Sequence, residues 1–214
     1  MRHCQICGSN DEYSVFSYYH ASNYSLYECQ NCGHRFVDSL NLSQESLDRY
    51  YLNEYKTDDK PYSDDRLNSL AECVKSCSMR VLDIGGMDGE LQQRLNKISV
   101  ICEVSGVGDD KVGRYDGVIL SHTLEHIYDI SKMMERIETN LVDGGNLFIE
   151  VPIHPEPYLA PQEYDYHWQH INKFRVIDLM RILQKNGFDV WDGTPLPDYR
   201  EYHCWRMVAK RAKV

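Results

Sequence analysis

The sequence lacks any apolar run approaching the length of about 18 residues needed to cross a bilayer, and its mean hydropathy is −0.55. A membrane-spanning helix is therefore not expected. Its first residues, MRHCQICGSN, carry no hydrophobic stretch of the kind that opens a secretory leader, so a cytoplasmic protein is expected. Positive charge is scarce: 23 Lys and Arg against 33 Asp and Glu give a net charge of −10. No local basic patch overrides that field, and the final KRAKV is too short to do so, which removes nucleic acid from the expected partners. What is present is a chain of 214 residues, 42% hydrophobic and 26% charged, enough for one well-cored domain with about 40 residues left for a small appendage.

Cysteine, by contrast, is plentiful. Eight cysteines in a chain of this length without an export signal point to thiols or metal ligands rather than disulfides. Four of them form Cys4-Gln5-Ile6-Cys7 and Cys29-Gln30-Asn31-Cys32, a C-x2-C-x21-C-x2-C pattern. Each pair lets two thiolates of one tight turn grip a single ion, with Gly8 and Gly33 letting the backbone curl beneath the sulfurs. Short strands are expected at Tyr13 to Phe16 and Tyr24 to Glu28, making residues 1–40 a zinc ribbon with a structural Zn2+. Four protein ligands leave that ion no open position for substrate. Cys73, Cys77, Cys102 and Cys204 lie in apolar surroundings and read as core thiols. Residues 41–77 read as a linking helical segment. Its second part, from Ser63 to Cys77, has Leu67, Leu70, Ala71 and Val74 at helical spacing.

The main domain, residues 78–214, opens with a buried strand that enters a glycine-rich turn: Val81-Leu82-Asp83-Ile84-Gly85-Gly86-Met87-Asp88-Gly89. Gly85, Gly86 and Gly89 permit close approach of a ligand to the backbone, and the helix that follows offers free N–H groups. The dinucleotide fingerprint fails because Ile84 occupies a required glycine position. Asp83 would oppose a pyrophosphate but suits a ligand with positive charge, such as the ammonium and sulfonium of S-adenosylmethionine. Glu103, in the next strand and 20 residues beyond Asp83, is the expected grip on the ribose hydroxyls. The segment from 104 to 116 is too short for a full doubly wound half, so an abbreviated sheet is expected, with Asp109 or Asp110 near the adenine.

A further strand, Asp116 to Leu120, delivers Ser121-His122-Thr123-Leu124-Glu125-His126 at its carboxyl end, where open α/β sheets gather their reactive groups. With these residues in view, the chain resembles a class I S-adenosylmethionine-dependent methyltransferase. VLDIGGMDG is similar to that family's first motif, YDGVILSHTLEHIYD to its fourth-strand motif and LVDGGNLFIEVP to its fifth strand. The cysteine knuckles, with HINKF and NGFDV, narrow the resemblance to a subgroup with an N-terminal zinc ribbon that includes sugar-nucleotide C-methyltransferases and other small-molecule methyltransferases. The resemblance covers about residues 1–40 and 78–192 and departs in the short segment 104–116. It implies an α/β, Rossmann-like three-layer sandwich, with Asp83, Gly85, Gly86, Gly89, Glu103 and Ser121 around the cofactor. It also implies that the loop after His154 covers the acceptor, with Tyr158, Tyr164, Tyr166 and Trp168 stacking on a sugar or ring.

Five of the nine histidines fall between His122 and His170. Methyl transfer requires the acceptor to be aligned and its proton removed, and histidine is the natural base near neutral pH. His170 ranks first for that role and His126 second, supported by His122, His167 and Glu125. Each of these side chains can equally be a packing residue. His122, Glu125 and His126 also follow H-x-x-E-H spacing, which allows a second divalent metal near His122 and His126, completed by His167 or His170. The expected reaction is O-methylation of a small polar acceptor, a sugar nucleotide or phosphorylated sugar. C-methylation of a nucleotide sugar, a binding module with a vestigial cofactor domain, and a metallohydrolase are the competing readings.

Overall fold

In the computed structural model the described residues are 3–9, 13–19, 24–38, 43–53, 64–86, 89–153, 169–199 and 202–212. They begin with a three-stranded antiparallel meander: β1 (Tyr13–Tyr19), β2 (Tyr24–Cys29) and β3 (Arg35–Asp38). Two helices follow, α1 (Gln44–Asn53) and α2 (Asp64–Lys75). Then come β4 (Arg80–Ile84), α3 (Glu90–Lys97), β5 (Ile101–Ser105), β6 (Tyr115–Ser121), a 3-10 turn at Leu124–His126, α4 (Ile130–Asn140) and β7 (Leu141–Ile153). The chain closes with β8 (Asn172–Lys173), α5 (Val176–Lys185), β9 (Phe188–Tyr199) and β10 (Tyr202–Arg211).

The main sheet has six strands in the order β5-β4-β6-β7-β10-β9. The pairs from β5 to β7 are parallel, while β10 runs antiparallel to both neighbours. Apolar runs such as Val118-Ile119-Leu120, Leu147-Phe148-Ile149 and Met207-Val208-Ala209 are buried throughout because successive residues point to opposite faces and both faces are covered. On one face Ile119, Phe148 and Val208 pack with Leu67, Leu70 and Val74 of α2 and Leu91 and Leu95 of α3. On the other, Val118, Leu120, Leu147, Ile149, Met207 and Ala209 pack with Met134 and Ile137 of α4 and Leu179 and Leu183 of α5. The result is the three-layer α/β sandwich that the sequence implies.

The abbreviation expected after β5 is present. Residues 106–114 form neither strand nor helix, and β5 is the sheet edge. Polar contacts replace the missing elements: Asp109 Oδ2 accepts from Gly106 N at 2.6 Å, Arg136 donates to the Gly106 and Val107 carbonyls, and Gly113 N donates to Asn140 Oδ1.

The N-terminal meander does not stand apart. β8, from the far side of the main-chain loop, adds to β3 as a fourth strand, and Cys4, Ile6 and Cys29 belong to the same buried cluster as α4 and α5. At this junction Asp178, fully buried at the first turn of α5, accepts from Arg175 Nη2 at 2.8 Å and faces His34 Nδ1 at 3.4 Å. Burial pushes the Asp178 carboxyl up, but His34 and Arg175 more than offset it and bring it from 3.8 down to about 2. A depressed folded-state value stabilises the fold above the unfolded value, by about 2 kcal/mol here, and that contribution is lost as pH falls through the folded value. Unfolding free energies of wild type and Asp178→Asn, extrapolated from urea titrations, should therefore differ by that amount at neutral pH and converge only below about pH 2.

Candidate functional site

In the main sheet the chain leaves β4 to one side for β5 and to the other for β6. Such a switch opens a crevice at the carboxyl ends of the two central strands, where α/β sheets hold their ligands. The carboxyl end of β4 is the glycine turn. Asp83 is buried, Gly85 has φ +91° and its N–H donates to the Ser105 carbonyl. A Cβ on Gly85 would lie 2.5 Å from Thr123 Oγ1, and one on Gly86 would lie 2.1 Å from Asp83 Oδ2. At these two positions the space a side chain would need is already taken by Thr123 and Asp83, so glycine lets the turn close tightly against both. Thr123, unremarked in the sequence, ties the two strand ends together by donating to the Ile84 carbonyl at 2.9 Å. Gly89, with φ +67°, caps α3 beyond the turn, while Met87 and Asp88 lie outside the described residues. The donor set fits a cationic ligand: one buried carboxylate beside glycine backbone at a helix entrance.

Glu103 is placed differently from its expectation. β5 runs on to Ser105, so Glu103 pairs with Leu82 inside the sheet rather than ending the strand. Its carboxylate accepts from Arg80 Nη2 at 2.9 Å and Tyr115 Oη at 3.1 Å, and Lys111 Nζ lies 3.0 Å away. Arg80 chiefly, then Lys111, hold this carboxyl down at about 2. Arg80 opens β4, so the carboxylate leans toward the amino end of that strand, away from the glycine turn.

Ser121 ends β6 as expected, but its hydroxyl is committed. It donates to Glu150 Oε2 at 3.0 Å and accepts from Arg66 Nη2 at 2.6 Å. Glu150, itself buried, is also paired with Arg66 at 2.9 Å and with Arg206 at 2.6 Å. Arg206 is buried and donates to Ser69 Oγ, so it braces α2 against β7 and β10 rather than lining a solvated edge. The signal for this network was available: Glu150 and Arg206 are lone charges in buried strands, and such groups need partners. Arg200 lies outside the described residues.

The His122 to His126 stretch does not form a regular helix. His122 sits at φ +51° and the next residues make one 3-10 turn. Glu125, 1% exposed, therefore projects inward, with His122 Nδ1 at 3.4 Å and His126 Nε2 at 3.8 Å. His126 Nδ1 donates to the Gln169 carbonyl at 2.8 Å, and the His170 ring lies edge-on to the His126 ring with centroids 4.8 Å apart. Ligand atoms of Glu125, His126 and His170 all lie within 4.8 Å of one another. His122 turns its Nε2 toward Cys204 Sγ at 3.8 Å. Burial pushes the His126 ring down in pKa and favours its neutral form. Burial alone pushes Glu125 up, but the two imidazoles more than offset that and the net shift is downward. His167, Tyr158, Tyr164, Tyr166 and Trp168 lie outside the described residues.

The four N-terminal cysteines converge. Each knuckle closes the same way, Gly8 N on the Cys4 carbonyl and Gly33 N on the Cys29 carbonyl, with both glycines at positive φ. Cys4 Sγ lies 3.6 Å from Cys32 Sγ, and Cys7 Sγ lies 3.7 Å from Cys29 Sγ. Tetrahedral zinc with Zn–S of about 2.3 Å requires sulfur separations of about 3.8 Å, so the cage has the right dimensions. The hydrogen bond from Cys32 draws Cys4 down to about 4 and pushes Cys32 up, while burial pushes Cys29 up.

No curated protein matches the chain. Among solved structures, it is similar to the 1,6-didemethyltoxoflavin N1-methyltransferase of Burkholderia thailandensis, solved with 1,6-didemethyltoxoflavin and S-adenosylhomocysteine. The identity is 15% and the TM-score 0.64, over 95% of this chain and 100% of that one. The N-methyltransferase NodS of Bradyrhizobium japonicum, solved with S-adenosylhomocysteine, has 15% identity and a TM-score of 0.54, over 78% and 97% of the two chains. An O-methyltransferase family protein of Burkholderia thailandensis has 11% identity and a TM-score of 0.54, over 79% of this chain and 58% of the other. These likenesses show the fold. The family described as a methyltransferase domain matches residues 55–192, well over half of the sequence, and the chain belongs to it as a class I S-adenosylmethionine-dependent methyltransferase.

Proposed function

We propose that this methyltransferase O-methylates a small polar acceptor, a sugar-linked or phosphorylated metabolite, with S-adenosylmethionine as donor and Zn2+ held by Cys4, Cys7, Cys29 and Cys32 as a structural ion. The carrying observation is the Glu125, His126 and His170 cluster, which Thr123 tethers to the glycine turn. In this reading Asp83 faces the donor's ammonium, and Gly85, Gly86 and Gly89 let the backbone of the turn approach it closely. S-adenosylmethionine supplies a methyl group already activated by its sulfonium, so the protein's work is to align the acceptor oxygen and draw off its proton. The histidine cluster offers nitrogen acceptors for that purpose at the right strand end.

The ribbon favours a second reading, C-methylation of a nucleotide sugar, through the subgroup that the knuckles resemble. Methyl-labelled donor incubated with a panel of sugar nucleotides, phosphorylated sugars and unrelated phenols and amines decides. Label is expected on oxygen of a sugar compound. Label on carbon selects the second reading. Donor binding without transfer to any compound would contradict both and favour a binding module.

A further inference from the structure

Glu125 presents a physical problem that the proton-acceptor reading leaves unsolved. Its side chain is 1% exposed, and neither carboxylate oxygen has a hydrogen-bond partner among the described residues. The nearest nitrogens, at 3.4 and 3.8 Å, stand off at distances too long or too poorly aligned for good hydrogen bonds. A buried carboxylate left in this state is costly unless it is paired or bound to a metal. The groups around it are arranged as ligands. The Gln169 carbonyl accepts a hydrogen bond from His126 Nδ1–H and so aims Nε2 toward Glu125, the outer-sphere support usual for metal-bound histidine. The next residue after Gln169 delivers the second imidazole, and the three donor atoms lie within 4.8 Å of one another.

We infer that Glu125, His126 and His170 form a second metal site, for a first-row divalent cation such as Zn2+, Co2+ or Mn2+. This inference rests on the proposed methyltransferase reading for its role, though not for its ligands. Two imidazoles and one carboxylate suit borderline cations better than Mg2+, which prefers oxygen and retains its water. Three protein ligands leave positions open. Both imidazoles are half-buried while Glu125 is buried beneath them, so the open side of the cluster lies on the histidine side, where an acceptor can approach. There the cation takes the acceptor's hydroxyl oxygen and lowers its pKa. With the imidazoles of His126 and His170 holding the cation, they no longer accept the proton as in the metal-free reading above: the O–H bond breaks with its proton passing to water, the oxygen forms a bond to the methyl carbon, and the C–S bond breaks with its electron pair going to sulfur. His122 is not a ligand in this arrangement, since its ring spans Glu125 and Cys204.

The test uses full-length protein with zinc in the cysteine cage, titrated with Co2+ by equilibrium dialysis and absorption, with S-adenosylhomocysteine binding measured in parallel. One added cobalt per chain is expected, with ligand-field bands but no sulfur charge-transfer band. His170→Ala and Glu125→Gln should each weaken it at least about 10-fold. His170→Ala removes a half-buried side chain and keeps the test valid if Glu125→Gln fails to fold. Cobalt bound only with sulfur ligands, no added equivalent, or binding unchanged in His170→Ala would overturn the inference. Intact S-adenosylhomocysteine binding alongside any of these outcomes would leave the donor site standing, whereas loss of that binding with cobalt retained would strike the methyltransferase reading alone.

Discussion

Asp83→Asn is expected to weaken S-adenosylhomocysteine binding by about 10- to 100-fold while leaving the fold intact. The substitution keeps the side chain's shape but removes the charge that, in the proposed site, would face the ligand's ammonium, and a hydrogen bond to a charged group contributes about 1.5–3 kcal/mol. Gly86→Ala should do as much by a different route. Its new Cβ would fall 2.1 Å from Asp83 Oδ2, so the carboxylate must leave its present position. Isothermal titration with S-adenosylhomocysteine measures both, and melting temperatures within a few degrees of wild type separate lost binding from lost structure. If both variants bind as wild type does, the ligand is not at this turn.

Removing the ion from the cysteine cage should have the largest effect on stability. Structural zinc in small cysteine sites contributes about 10 kcal/mol or more to folding of the segment that holds it. Here that segment is not an appendage. Cys4, Ile6 and Cys29 are buried among residues of α4 and α5, Gln5 Oε1 accepts from the Ile130 N–H at the start of α4, and Arg175 donates to the Cys32 carbonyl. Loss of an ion held there would therefore propagate into the main sheet. A strong chelator, or Cys29→Ser, is expected to cost at least about 5 kcal/mol, a fall of roughly 10–20 °C in melting temperature. The transition should stay single because meander and sandwich share one core. An unchanged melting curve after chelation, with metal release verified, would contradict a structural ion.

The sequence made legible those features whose physics is local. The knuckles are carried by spacing and glycine, the central strands by uninterrupted apolar runs such as Leu147-Phe148-Ile149, and the turn by Gly85 and Gly86. Features that depend on long-range register were not legible. Glu103 looked like a strand terminus by counting, but parallel pairing of β5 with β4 continues to Ser105 and sets Glu103 opposite Leu82. β8 is two residues long with no periodicity to read, yet it joins the meander to the loop that carries His170. Arg206 finds Glu150 across 56 positions of sequence, a pairing that only the antiparallel β7–β10 contact brings about. The H-x-x-E-H spacing suggested one helical face, but the left-handed backbone at His122 breaks it. His126 and His170 come together instead, through the Gln169 carbonyl.

The central claim is that the donor sits against the turn at the end of β4. A crystal structure of the protein with S-adenosylhomocysteine tests it directly. The account predicts ligand density along Asp83 to Gly89, with the ammonium near the Asp83 carboxylate and the sulfur directed toward the Glu125, His126 and His170 cluster. Density elsewhere on the molecule, or none at saturating ligand, would contradict it.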